Sequence, residues 1–400
     1  MNILFSDLSL RLSSVTVFKN VAEKPVIRRL IEFLSCNNGS EEKSAKVRKY
    51  TEFIRDLYDN GCSLSDYLKN EIIEDENVLV KKAAKNENIP YVLSQCAKQE
   101  LVLFSALTQL SSQELTSKIP YTGFLPQFEN EPVDFLRIYG ERLKNISKCG
   151  YGIYARYNMF KVDSQGKITP LKCADDIELC DLIGYENERS AVLLNTKALL
   201  QNKPAANTLL CGDAGTGKSS TVKAVANHFK NDGLRLIEIK KNQLVLLPQI
   251  MEQLNDNPLK FIIFIDDLSF NNNDENLGPL KAIIEGSAGA KAKNVVIYAT
   301  SNRRHLVKET FSDRSGDDVH RRDTMQELLS LSERFGLVVS YGVPAKKDYL
   351  DIVHSLVKAK NIITDMSQLD IRAEAFALKK GGRSPRTAQQ FTDSLLVGEG

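Results

Sequence analysis

The sequence predicts an α/β fold in which a parallel sheet lies between helices, with an all-helical segment before it and a small helical piece after it. Five strand-length runs that are apolar and largely β-branched carry this reading: Thr208–Cys211, Leu234–Ile239, Phe261–Ile265, Val295–Ala299 and Leu337–Tyr341. Helical stretches separate them, and near-continuous apolar strands joined by crossover helices belong to a sheet buried on both faces. The first run ends in a glycine-rich loop pattern, and the third ends in two aspartates.

Residues 1–150 read as helical throughout. Val26, Ile27, Leu30, Ile31 and Leu34 recur at helical spacing, as do Phe53, Ile54, Leu57 and Tyr58. Val92 to Leu110 continues the pattern. Pro120, Pro126 and Pro132 punctuate a polar stretch before a helix carrying Phe135, Ile138 and Tyr139. This segment holds no cluster with obvious chemistry, so it reads as a helical packing domain or a client- or partner-binding one. From Tyr151 to Tyr157 the pattern turns strand-like, followed by a turn at Asp163-Ser164-Gln165-Gly166 and a second strand at Ile168–Leu171. The expected division is 1–150, 151–343 for a hairpin and α/β domain, and 344–400 for a helical lid.

Composition sets limits on function. The 400 residues are 42% hydrophobic, enough for two or three domains with real cores. Against 53 basic residues stand 51 acidic ones, so net charge points to neither a nucleic-acid nor a membrane partner. Seven cysteines are scattered without a C-x-x-C pair, and there are four histidines. That usage argues against a zinc site or a disulfide framework and for a reducing compartment. Asp7 interrupts the apolar start before signal-peptide length, and no run of 18 apolar residues occurs. The expectation is a soluble, cytoplasmic protein without a membrane partner.

The run Gly212-Asp213-Ala214-Gly215-Thr216-Gly217-Lys218-Ser219-Ser220 fits G-x-x-x-x-G-K-[ST] between a strand and a helix. In such a loop the glycines let successive backbone N–H groups turn inward onto a phosphate chain, helped by the positive end of the next helix. Lys218 would reach the β/γ-phosphates of ATP, and Ser219 would hold Mg²⁺. At the end of Phe261–Ile265, Asp266 is placed to hold the same ion, and Asp267 to orient and deprotonate a water that attacks the γ-phosphorus. The bland reading of the pair is a cap on the next helix. At the end of Val295–Ala299, Thr300-Ser301-Asn302 brings small polar groups to the same edge, where Asn302 would bond the γ-phosphate and the attacking water.

The order of these elements, closed by Leu331-Ser332-Glu333-Arg334-Phe335 before the last strand, resembles an AAA+ P-loop ATPase over roughly residues 172–395. Asp266-Asp267-Leu268-Ser269-Phe270 and Ala299 to Leu306 resemble more narrowly a bacterial family of AAA+ ATP-binding proteins without a defined function. The resemblance implies a five-stranded parallel core with a C-terminal helical lid, Mg·ATP as ligand, and ring or arc assembly. It casts Asn302 as the first sensor and Arg334 as an arginine finger acting on a neighbour's ATP, the alternative being an Arg334 paired with a carboxylate such as Glu333. It places the lid sensor in Gly381–Ala388, where Arg386, in the first turn after Pro385, is favoured over Arg383. Leu182 and Ile183 would pack on the adenine, with ordinary core packing the competing role. Many AAA+ motors carry Glu where this chain has Asp267, so slow or partner-dependent turnover is expected.

The mixed-sign stretch Arg303–Arg322 reads as a solvated loop at a subunit interface rather than a nucleic-acid contact. The resulting expectation is an oligomerising, ATP-hydrolysing switch or remodeller with an unknown protein client. The alternatives are a nucleic-acid-associated, helicase-loader-like ATPase and a scaffold gated by nucleotide without hydrolysis.

Overall fold

The computed structural model describes residues 5–36, 43–173, 175–268, 277–284, 292–302, 334–363 and 365–397. The chain divides into two compact units, 1–156 and 157–400. Among the described residues no helix is long and apolar enough to cross a membrane.

The first unit is helical, with its longer helices at Pro25–Leu34, Lys43–Tyr58, Leu64–Glu74, Tyr91–Leu107 and Phe135–Lys144. Its centre is aromatic: the Phe18 ring meets Phe104 and Tyr139 edge-on, at centroid distances of 6.0 and 5.1 Å, the arrangement that ring quadrupoles favour. Glu100 is buried in this core, where its carboxylate accepts the backbone N–H groups of Thr16, Val17 and Phe18 at 2.7, 3.0 and 2.9 Å. A buried carboxylate is tolerable only when so bonded, and here it fixes the loop after the first helix.

Tyr151 to Tyr157 does not form a strand. Gly150 and Gly152 both adopt positive φ, at 64° and 61°, and Ile153–Arg156 closes a short helical turn. The alternation of apolar and polar residues there is real, but two glycines in the left-handed region break any extended ladder. The hairpin begins later, with β1 (Met159–Val162) and β2 (Ile168–Pro170) paired antiparallel. Its turn is held by Asp163, whose Oδ1 accepts from Gln165 N and Lys167 N at 2.9 and 3.0 Å, and by Gly166 at φ 81°.

The second unit then builds β3 (Thr208–Gly212), β4 (Leu234–Ile239), β5 (Lys260–Ile265), β6 (Val295–Ser301) and β7 (Leu337–Tyr341). All five are parallel, in the order β4-β5-β6-β3-β7, and the hairpin extends the β4 edge to seven strands among the described residues. Phe261 to Ile265 are fully buried, as an apolar strand covered on both faces must be. Crossover helices such as Glu186–Leu200, Lys218–His228 and Leu247–Asn255 connect or cover the strands. Three further helices, Lys346–Ala359, Met366–Lys379 and Pro385–Val397, pack around Tyr349, Val353, Leu369, Ala373 and Phe391 as a lid with its own core. Pro385 opens the last of them, where a missing N–H and a fixed φ cost nothing.

Candidate functional site

Because the core strands are parallel, the C-terminal ends of β3, β5, β6 and β7 deliver their following residues to one edge of the sheet. Register fixes the neighbours: Cys211 lies opposite Ser301, Gly212 opposite Tyr341, and Ile265 opposite Ala299. A cavity of about 380 Å³ opens at that edge. Its lining includes Ala214 to Ser220 of the loop, Asp266, Asp267, Thr300 and Asn302 from the strand ends, Leu182 and Ile183 from the segment before the sheet, and Arg386 from the lid.

The loop needs its glycines. At Gly212 φ is 140°, and a Cβ there would sit 1.9 Å from the carbonyl oxygen of Tyr341, so any side chain would prise β3 from β7. Gly215 and Gly217 take φ of 79° and 89° and carry the chain into helix Lys218–His228. Lys218 is 5% exposed. Its ammonium donates to Gly212 O at 2.9 Å, Asp213 O at 2.7 Å and Asn302 Oδ1 at 3.2 Å. Burial pulls its pKa below the ordinary lysine value, while the charges of Asp213, Asp266 and Asp267 pull the other way. The ammonium thus sits against the loop carbonyls.

Asp266 Oδ1 accepts from Ser219 Oγ at 2.6 Å and from Thr300 Oγ1 at 2.5 Å. These are hard oxygen donors of the kind Mg²⁺ prefers. Among the described residues no group of three or more His, Cys, Asp or Glu forms a metal cage. Asp267 follows at φ 52°, in the left-handed region. Its backbone N–H donates to Thr300 Oγ1 at 3.0 Å, and its Oδ1 accepts from Asn302 Nδ2 at 2.8 Å. Asn302 therefore links Lys218 to Asp267 through its two amide atoms.

The segment carrying Leu182 and Ile183 is pinned to β7. Gly184 and Tyr185 take φ of 81° and 60°, and Tyr185 Oη donates to Gly342 O at 2.6 Å while its ring lies 5.1 Å from that of Tyr341. Burial pushes the Tyr185 phenol up to about 12, so it remains a donor at neutral pH. Arg189 donates to Gly184 O, and Ile183 packs onto the lid core.

In the lid, Arg386 lines the cavity, and its backbone N–H donates to Gly215 O at 3.2 Å. Arg383 is engaged elsewhere, in a two-bond pair with Glu374 at 2.8 and 2.7 Å. Arg334 is exposed beside the start of β7 and is not part of the cavity wall. Leu331, Ser332, Glu333 and the stretch Arg303–Arg322 lie outside the described residues. Sequence reasoning missed Thr300, Tyr185 and Arg189 as site residues. A hydroxyl two positions before Asn302 on a strand beside β5 was the available signal for Thr300.

Strand order and phosphate loop together define an AAA+ P-loop core with a helical lid. The chain belongs to the family described as Protein of unknown function (DUF815), which matches residues 155–399. No curated protein matches the chain. Among solved structures it is similar to the Thermotoga maritima RuvB Holliday junction branch migration motor, at 16% identity and a TM-score of 0.38 over 56% of this chain and 66% of that one. It is also similar to a FIGL-1 AAA domain in complex with ADP, at 18% and 0.37 over 56% and 74%, and to a DNA replication initiation factor, at 16% and 0.37 over 56% and 65%. The chain spans just under two thirds of the length of the RuvB and initiation-factor chains.

Proposed function

We propose that the protein binds Mg·ATP in the cavity at the sheet edge and hydrolyses it to ADP and phosphate, working as an oligomeric switch or remodeller. The observation that carries this reading is the pair of hydrogen bonds made by Asn302, which accepts from Lys218 and donates to Asp267. A phosphate-binding cation, a polar sensor and a candidate base are thereby held in one hydrogen-bonded line.

The backbone N–H groups of Ala214, Gly215, Thr216 and Gly217 cradle the phosphates, with Ser219 and Ser220 at the helix start. Gly212 and Asp213, expected from the sequence to join them, lie outside the cavity lining, Gly212 closing β3 and the Asp213 N–H donating to Tyr341 O at 3.3 Å. Lys218 exchanges its loop carbonyls for β/γ-phosphate oxygens. Ser219 and Asp266 would hold Mg²⁺, which would supply charge neutralisation to the phosphates when bound. Asp267 orients the water and takes its proton as the oxygen attacks the γ-phosphorus. The β–γ bridging bond breaks, and its electron pair leaves on ADP. Asn302 holds both the γ-phosphate and the water. Arg386 brings the lid's positive charge to the phosphates, and Leu182 and Ile183 flank the base. In this reading Arg334 serves the ATP of a neighbouring subunit, where its always-charged guanidinium grips phosphate oxygens with paired donors. The helical first unit then selects a protein client, in a cytoplasmic setting to which seven free thiols are suited.

Titration with ATP tests the site. Lys218→Ala removes the cation that reaches the phosphates, and the reading predicts that tight binding disappears. Undiminished affinity would contradict it.

A further inference from the structure

We propose that Thr300 is a positioning residue for ATP hydrolysis, setting the metal-facing carboxylate of Asp266 and the base Asp267 as one unit. The inference rests on the ATPase reading of this site. Thr300 is 2% exposed and stands at the end of β6, beside the end of β5. It grips three consecutive residues. Its Oγ1 donates to Asp266 Oδ1 at 2.5 Å and accepts the N–H of Asp267 at 3.0 Å, while its carbonyl oxygen accepts the N–H of Leu268 at 2.7 Å.

A hydroxyl is the group that both donates and accepts at one atom. Here the donated bond aims a carboxylate lone pair, and the accepted one holds a non-glycine residue at φ 52°. Such a conformation persists only where its surroundings over-determine it. The threonine methyl group matters too, because branching at Cβ stiffens χ1 and keeps the hydroxyl on its two partners. Asp266 also accepts from Ser219, so the Thr300 hydroxyl fixes the outer edge of the same oxygen site.

Thr300→Val keeps the shape and removes the hydroxyl; Thr300→Ser keeps the hydroxyl. Each is compared with the wild-type full chain by binding of fluorescent ADP in EDTA, by the Mg²⁺ concentration that enhances binding of fluorescent ATP, and by phosphate release. The proposal expects unchanged metal-free ADP affinity in Thr300→Val, a Mg²⁺ requirement raised about 10- to 100-fold, and a maximal rate lowered by a similar factor, the usual scale for outer partners of metal ligands. Thr300→Ser should recover most of both. If Thr300→Val matches wild type in Mg²⁺ requirement and rate, the proposal is overturned. It is equally overturned if metal-free ADP binding falls in step and Thr300→Ser is no better, since that marks a purely structural role. Should Thr300→Val not fold, Thr300→Ala serves in its place. A wild-type protein that binds Mg·ATP without releasing phosphate would overturn the ATPase reading instead, and the Mg²⁺ titration would still decide the role of Thr300.

Discussion

Asn302 Nδ2 donates to Asp267 Oδ1 at 2.8 Å, joining the end of β6 to the left-handed residue after β5. The same amide accepts from Lys218. In the proposed reading Lys218 turns from this amide oxygen to the phosphates, and the Asn302 Nδ2 donor serves the γ-phosphate. Asn302→Ala should therefore bind ATP with little loss but turn it over on the order of 10²-fold more slowly, the scale for removing one preorganised donor from a developing charge. Separate measurement of ATP affinity and phosphate release checks this; parallel losses would make Asn302 a binding residue only.

The pair between Arg383 and Glu374 gives the lid a defined acid response. Hydrogen bonds from Arg383 hold the Glu374 carboxyl below its ordinary value of 4.5. A group with a lowered native pKa stabilises the fold fully above its unfolded value and loses that contribution as pH falls through the native one. Thermal unfolding between pH 7 and 3 should show a flatter acid-side decline in Glu374→Gln than in wild type, with lower stability at pH 7. Identical profiles would mean that the pair contributes nothing to the lid.

Arg334 offers a test of assembly. If it acts on ATP held by a neighbour, Arg334→Ala binds ATP normally and hydrolyses it up to about 10³-fold more slowly. Mixing Arg334→Ala subunits, which keep the phosphate loop, with Lys218→Ala subunits, which keep the arginine, should restore part of the activity. Turnover per subunit should also rise with protein concentration while assemblies form. Constant turnover at concentrations where only monomer exists, together with a silent mixture, would make the single chain the active unit.

Legibility from sequence varied with the range of the interactions involved. The phosphate loop was readable because close approach to Tyr341 O excludes every side chain at Gly212, and local backbone demands leave local signatures. The β-strands of the parallel core were readable because burial on both faces forces runs such as Phe261–Ile265. The hairpin was misplaced by several residues because the left-handed glycines 150 and 152 override an extended-looking pattern. Thr300 was passed over because its two bonds reach residues more than thirty positions away, and only the β5–β6 register makes them neighbours. Glu100 escaped notice for the same reason, since its partners lie more than eighty positions earlier.

The central claim is that Asp267 is the base in a site that hydrolyses ATP, and Asp267→Asn tests it most directly. The substitution keeps size and shape and removes the proton acceptor. Binding of Mg·ATP and release of phosphate should be measured on the same preparation. The account predicts affinity close to wild type with turnover lowered by at least about 10²-fold, the scale of a lost general base. Wild-type turnover in Asp267→Asn, or a loss of binding as large as the loss of rate, would contradict it.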